Sequence, residues 1–414
     1  MPSNSLPRLR GRVRVGAFVL LVVLFQAGCG STTVTSADHS PSASASASAT
    51  PSASASETPA GPLVVVSNPV DQAHYTISLV GVDGRTVAQA TAAYGEQRPV
   101  PFPGSAAGGS PSGMLDPAFK PIAFYQLLPN AGACCDAFLP TVSVSNTRVY
   151  FPDGPTAMRY VGRDGSTGIA TSLPAAGAKA RAVFSVSPDD QRIAIGVFDW
   201  SSQPMTSTVT VQDLHGGGHA VQVERASTLY GWPVGWHSGN LVLARMPVFG
   251  GAPNPNAATA YSLVNPLTGD NLAYLGGMTC PVVGPLSPAG TACVAARCHC
   301  VMAVDWSGTQ APTYAYADPS EMNWAALSPD GHAVILSEIY GPKQGVGIWR
   351  DGAVTFMAHY SGTRSQWLDE SHTIVDCAGS DTGGECFGIQ DLGSQSTVEV
   401  KLPGFIVGVV PGGL

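Results

Sequence analysis

The chain of 414 residues carries 20 lysines and arginines against 28 aspartates and glutamates, a formal net charge of −8, and only 12% of its residues are charged. Glycine (48) and proline (34) are abundant, a composition that favours short strands joined by many turns and excludes a fold dominated by long amphipathic helices. With the four arginines of the first 28 residues set aside, the remainder carries −12, a surface that repels nucleic acid and anionic head groups.

At the N-terminus, Arg8, Arg10, Arg12 and Arg14 precede the apolar run "VGAFVLLVVLF" (15–25), and "QAGC" closes the segment at Cys29. A basic region, an apolar core and small residues in that order predict an export signal. Eleven residues at a helical rise of ~1.5 Å fall well short of the ~30 Å hydrocarbon core, so the run is not a membrane span. The "QAGC" stretch resembles a bacterial lipobox, with Gln26 where that pattern has Leu. The resemblance implies cleavage ahead of Cys29, attachment of lipid such as palmitate to it, and an extracytoplasmic chain anchored to the cell membrane. Residues 29–61 are a Ser/Ala/Pro stretch with almost nothing to bury, and so predict a disordered tether. Its composition resembles that of actinobacterial lipoproteins. The expected division is a signal peptide over 1–28, a lipidated tether over 29–61 and a folded body over 62–414.

Within that body, residues 62–95 offer three strands ("PLVVVSN", "YTISLVGV", "TVAQATA"), followed by an insertion from about 97 to 139. Beyond it, a turn between two apolar runs falls near Asn146, Asp190, Gly239, Gly290, Gly331 and Ser371, every 40 to 51 residues, the length of a propeller blade. A second turn type recurs between these, with glycines at 84, 165, 216, 269, 308, 352 and 393, as suits hairpin turns that need positive φ. Seven second turns against six first turns leave the unit at 62–95 one strand short, and "GFIVGVVP" (404–411) is one strand left over. If the two pair, both ends of the chain build one blade and the ring closes without a free edge. The fold class expected is therefore all-β, a single seven-bladed β-propeller, with six blades or a pair of β-sandwiches as the alternative. "SVSPDDQRIAI" and "ALSPDGHAVIL" resemble the TolB-like, WD-repeat-like propellers, in which such a turn links the innermost strand of a blade to the next. Pro presets φ, and Asp-Gly supplies an acceptor and a permissive backbone, so the turn reads as structural.

Apart from Cys29, eight cysteines remain, an even number that predicts disulfides outside the cytoplasm. Cys377 and Cys386 flank one turn, and Cys280 and Cys293 another, and each pair is expected to be bridged. Cys134, Cys135, Cys298 and Cys300 allow three connectivities; a cross-link from the insertion to the fifth full blade would pin that loop. "CVAARCHC" holds soft metal donors, but adjacent side chains on a tight hairpin diverge, and His215 and His219 in "HGGGH" read as a solvated turn. No metal and no cofactor is expected.

No phosphate-cradling loop, nucleophile elbow, H-E-x-x-H or dinucleotide fingerprint is present, nor are the motifs that prolyl peptidase, sialidase or quinone-dependent propellers would need. The surface left for recognition is the loops linking second to third strands and blade to blade. These carry Trp200, Phe249 and Tyr340, while the starts of the innermost strands carry Arg181, Tyr230, Glu321, Asn323 and Arg364. Long loops with aromatics on a rigid ring fit recognition. The chain is expected to act as a monomeric, membrane-anchored binding or scaffold module for an envelope protein or a glycan. A hydrolase or lyase on sugars or peptides, working at the channel mouth, is the alternative.

Overall fold

The computed structural model describes residues 61–71, 73–95, 141–175, 180–199, 201, 206–217, 220–226, 229–247, 260–277, 280, 285–295, 297–316, 322–338, 345–357, 365–376 and 386–414. The export signal, the tether and the insertion thus lie outside the described residues.

Seven antiparallel sheets follow one another along the chain, and their topology is that of a seven-bladed β-propeller. The first comprises β1 (Leu63–Pro69), β2 (His74–Gly81) and β3 (Thr86–Ala93). The second comprises β4 (Ser143–Val144), β5 (Arg148–Asp153), β6 (Ala157–Gly162) and β7 (Thr167–Ser172). In the third are β8 (Ala180–Val186), β9 (Arg192–Asp199), β10 (Thr206–Asp213) and β11 (Ala220–Ala226). The fourth holds β12 (Leu229–His237), β13 (Asn240–Pro247), β14 (Ala260–Val264) and β15 (Asn271–Gly276). Three strands are described in the fifth, β16 (Thr291–Ala295), β17 (Cys300–Val304) and β18 (Gln310–Ala315). The sixth has β19 (Met322–Leu327), β20 (Ala333–Glu338), β21 (Gly345–Arg350) and β22 (Ala353–Met357). The seventh has β23 (Gln366–Trp367), β24 (His372–Asp376), β25 (Phe387–Asp391) and β26 (Thr397–Val400).

The last strand, β27 (Phe405–Val410), pairs antiparallel with β1, Leu63 opposite Val410 and Ser67 opposite Phe405. It supplies the innermost strand that the first blade lacks, so the two ends of the folded body share one sheet. The strand count leaves no place for six blades or two sandwiches.

No single central core exists. Apolar clusters instead fill every junction between neighbouring blades, because each sheet is covered by the next. Leu63, Ile77, Phe151 and Val161 join blades one and two; Tyr150, Phe184 and Ile193 join two and three. Val64, Ile374, Phe387 and Ile406 close the ring between blades seven and one. Inner strands are therefore buried over most of their length, as in β8, whereas β7, β22 and β26 on the outside are the more exposed.

The repeated Ser-Pro turns form small hydrogen-bonded cages. Ser187 Oγ donates to Asp189 Oδ1 (2.6 Å) and accepts from the Arg192 N–H (2.8 Å), while the Asp190 N–H donates to the Ser187 carbonyl (3.0 Å). Ser328 does the same with Asp330 (2.5 Å) and the Ala333 N–H (2.8 Å). In "SPAG" the carboxylate is missing, and Ser287 Oγ instead donates to the Ser328 carbonyl of the next blade at 3.3 Å. Six of the seven second-turn glycines have positive φ. At the seventh turn the left-handed residue is Gln395 (φ 57°), two positions after Gly393.

Blade-to-blade hydrogen bonds recur at the blade period. Val186 N–H donates to Ser143 Oγ, Trp236 Nε1 to the Ser185 carbonyl and Trp367 Nε1 to the Ala326 carbonyl, at separations of 43, 51 and 41 residues. The segment after β27 continues this stitching: the Gly412 N–H donates to the Ser145 carbonyl of blade two, and the Leu414 N–H to the Trp236 carbonyl of blade four. Gly412 is obligatory, since a Cβ there would lie 2.1 Å from the Val144 carbonyl oxygen.

Candidate functional site

Because strands alternate in direction, the first and third hairpins of every blade open on one face of the ring. The middle hairpins and the blade-to-blade connections open on the other, the loop face. The polar groups of the first-turn face are engaged in the cages and inter-blade bonds above. Asp190, for example, accepts from Thr147 Oγ1 (2.6 Å) and the Tyr150 hydroxyl (2.8 Å) of the preceding blade. His237 stacks on Trp306 at 4.4 Å between blades four and five, and Trp306 Nε1 donates to the Pro288 carbonyl.

On the loop face, the best-defined constellation lies where blades three and four meet. Arg181, near the start of β8, pairs in register with Phe198 at the end of β9. Its guanidinium carbon lies 5.2 Å from the ring centroid of Trp232 on β12, within cation–π range. Trp232, 6% exposed, packs against Phe198 at 5.3 Å, and Tyr230 meets Phe198 edge-on at 6.2 Å. Trp232 and Tyr230 share a face of β12 because side chains alternate along a strand. Burial pushes the Tyr230 phenol above its ordinary pKa.

Beside this shelf is a charged pair withdrawn from water. Arg245 on β13 donates from Nη1 to Glu224 of β11, from Nε to Ser262 Oγ (2.7 Å) and from Nη2 to Asn271 Oδ1 (3.2 Å). The two side chains are 8% and 13% exposed. Glu224 packs directly on the backbone of Gly231, where a Cβ would lie 2.4 Å from Oε1. Such a pair repays its desolvation only when the remaining donors and acceptors are satisfied; Ser262 and Asn271 do this for Arg245, whereas Glu224 Oε1 is buried without a hydrogen-bond partner. The pair links the outermost strand of blade three to blade four and stiffens the shelf from behind.

Of the residues the sequence pointed to, Arg181 and Tyr230 are brought together here, but their roles differ. Arg181 is half-buried at the rim; Tyr230, expected to line a channel mouth, is 2% exposed and belongs to the inter-blade cluster of Val183, Phe198 and Trp232. Tyr230 faces inward because β12, like every inner strand, is covered by the neighbouring blade. Asn323 lies on β19 in blade six, away from this junction. Trp200, Phe249, Glu321, Tyr340 and Arg364 lie outside the described residues. Asp199, at the end of β9, caps the Ser201 N–H at 2.8 Å, and its bonds to Ser201 hold its carboxyl below the ordinary value. Phe198, Trp232, Glu224 and Arg245 were not singled out from sequence. The available signal was the lone charge of Arg245 inside the apolar strand "LVLARM"; Glu224 sits beside Arg225 in the half-polar "VQVERA" and gives none.

Cys280 and Cys293 are joined, 13 residues apart. The expected cross-link from the insertion to the fifth blade is corrected at one end: Cys298 and Cys300 are joined to each other across the turn between β16 and β17, which leaves neither for the insertion. Cys134 and Cys135 lie outside the described residues. Cys386 is disulfide-bonded, and Cys377 also lies outside them. Among the described residues no group of three or more His, Cys, Asp or Glu side chains gathers as a metal site would require.

No protein-family model matches the chain, and no curated protein matches it. Solved structures do, as folds. A chain of the mitotic checkpoint complex is 13% identical over 76% of this chain and 89% of its own, with a TM-score of 0.39. TolB from Acinetobacter baumannii is 13% identical over 84% and 80%, with a TM-score of 0.36. The propeller domain of the Trilobed protease from Pyrococcus furiosus, described as having an open velcro topology, is 10% identical over 66% and 86%, with a TM-score of 0.40. Likeness at this level carries no argument about activity, and the propeller assignment rests on the strand order alone.

Proposed function

We propose that this chain is a membrane-anchored, extracytoplasmic binding or scaffold module, held by lipid on Cys29, that engages an envelope protein or a glycan through the loop face of its propeller. The observation that carries the reading is Arg181, which lies partly exposed on the loop face with its guanidinium carbon 5.2 Å from the ring centroid of Trp232, while Trp232, Phe198 and Tyr230 are buried beneath it. An arginine braced on an aromatic is a common anchor of recognition surfaces. By strand order, β9, β13, β20 and β24 end on this same face. The test is in-cell cross-linking and mass spectrometry on the tagged full-length protein, compared with a variant lacking 98–137 and with Arg181→Ala. A discrete envelope partner or glycan lost with either change is the expected result. Equal cross-linking in all three samples would overturn the assignment of the loop face. Cys29→Ala tests the anchor separately, by release of the protein from the membrane fraction.

A further inference from the structure

The turn between β16 and β17 sits on the loop face and carries the sequence Arg297-Cys298-His299-Cys300. Arg297, Cys298 and His299 are exposed, whereas Cys300, the first residue of β17, is 5% exposed and packs in the cluster of Leu275, Cys293, Ala295 and Val304. The disulfide between them spans two positions, and it closes a hairpin already fixed by ladder pairing of Ala295 with Cys300. A cross-link stabilises mainly by the chain it constrains in the unfolded state, so one spanning two positions contributes little. Cys280–Cys293 is the opposite case: it spans 13 positions and both its residues are at most 1% exposed. The blade therefore has one disulfide suited to holding structure and a second, at the surface, with little structural work to do.

We propose that Cys298–Cys300 is a thiol–disulfide exchange site whose substrate class is the protein dithiol. A substrate thiolate attacks the exposed Cys298 Sγ, and the Cys298–Cys300 bond breaks with its electron pair passing to Cys300 Sγ, which takes up a proton. The second substrate thiolate then attacks the substrate sulfur of the mixed disulfide, and Cys298 leaves as a thiolate and is protonated. Two electrons and two protons pass from the substrate, which becomes a disulfide, to the cysteine pair. The geometry favours this direction of attack because Cys298 faces solvent and Cys300 does not. Arg297 immediately precedes Cys298 in the sequence, and a neighbouring guanidinium favours approach of a thiolate. Cys298 Sγ lies 3.4 Å from the Ala295 carbonyl oxygen, an acceptor within reach of the thiol that reduction would create. His299 is held in a left-handed conformation (φ 48°), its ring stacked over Tyr316 at 6.1 Å, and its carbonyl accepts from the Tyr316 N–H. The turn is thus anchored on both sides of the cysteine that reacts.

The test uses the purified full-length protein in graded glutathione buffers, quenched in acid, alkylated and mapped by peptide mass spectrometry. Cys298 and Cys300 are expected to become labelled together while Cys280 and Cys293 stay protected and the β-sheet circular dichroism is unchanged. Labelling of all four cysteines in one step, or a native linkage of Cys298 or Cys300 to any other cysteine, would overturn the proposal. A second arm offers an oxidised peptide disulfide to single-cysteine variants, whose remaining thiolate attacks it and releases a peptide thiolate, the reverse of the second step above. Cys300→Ser should trap a mixed disulfide at Cys298 on the order of tenfold faster than Cys298→Ser traps one at Cys300, since access and thiolate character govern the rate. Equal rates would refute the assigned direction of attack, and the wild-type arm requires no variant to fold.

Discussion

The first "SPD" turn reads Ser-Pro-Asp-Asp where its counterpart in blade six reads Ser-Pro-Asp-Gly, and a substitution at Asp190 shows what that departure is for. Asp190 has φ 60°, a left-handed conformation that costs a residue with a Cβ about 1–2 kcal/mol, less for Asp or Asn and nothing for Gly. Taken alone, Asp190→Gly should stabilise the turn. The carboxylate, however, accepts from Thr147 Oγ1 at 2.6 Å and from the fully buried Tyr150's hydroxyl at 2.8 Å. Hydrogen bonds to a charged group contribute about 1.5–3 kcal/mol each, less at an exposed partner such as Thr147. Loss of both should therefore exceed the backbone gain, leaving Asp190→Gly about 1–3 kcal/mol less stable than wild type. Asp190→Ala loses the bonds and keeps the strain, so it should fall about 1–2 kcal/mol lower again. Asp190→Asn tolerates the conformation and retains an acceptor, and should lie nearest wild type. Urea unfolding followed by tryptophan fluorescence gives the order directly: wild type, Asn, Gly, Ala. An Asp190→Gly variant as stable as wild type would refute the claim that this residue ties blade two to blade three.

Trp236 and Trp367 each donate from Nε1 to a carbonyl of the preceding blade. Either tryptophan changed to Phe should lower stability by about 2–4 kcal/mol, from a lost buried bond and a void. The two losses should add in the double variant because the junctions share no partners; strong non-additivity in denaturation would contradict that. Gly290 has φ 137°, and a Cβ there would lie 2.0 Å from the Val304 carbonyl oxygen, so Gly290→Ala should cost about 3 kcal/mol or more, with a melting temperature unchanged from wild type counting against it. Acid should destabilise the fold. The Ser166 and Ser307 hydroxyls hold Asp164 and Asp305 below the ordinary value of 3.8, and at Asp330 burial opposes but the Ser328 and His332 bonds prevail. Folded values depressed in this way contribute stability that is complete above the unfolded value and is lost as pH falls through it toward the folded ones. Melting temperature should hold above about pH 5 and decline below about pH 4; a flat profile down to pH 2 would remove these turns from the account.

What the sequence discloses and what it conceals follow from the range over which each interaction acts. The seven second turns and six first turns were legible because a turn is a local event, written in Pro, Asp and Gly within a few residues. Counting them was enough to require that "GFIVGVVP" return to the first blade, and β27 does so. The left-handed residue at the last second turn was misplaced by two positions, at Gly393 rather than Gln395, because Asp391 caps Ser394 and moves the bend along. Side-chain destination was much less legible. Tyr230 reads as a polar aromatic at a strand start, yet whether such a residue faces a channel or a neighbour depends on the sheet beside it, 30 or more residues away in sequence. The Glu224–Arg245 pair was missed for the same reason: Arg245 is one charge in an apolar strand and Glu224 adjoins Arg225 in a half-polar one, and only the packing of blade three on blade four makes the two a pair. The linkage of Cys298 to Cys300 shows the limit from the other side. The even cysteine count foretold bridges, but the attraction of pinning a long loop pointed across the molecule, while the short hairpin between β16 and β17 had already brought two sulfurs together. A cross-link that the ladder makes redundant for stability is the one free to serve another purpose, and it lies on the loop face proposed above for recognition.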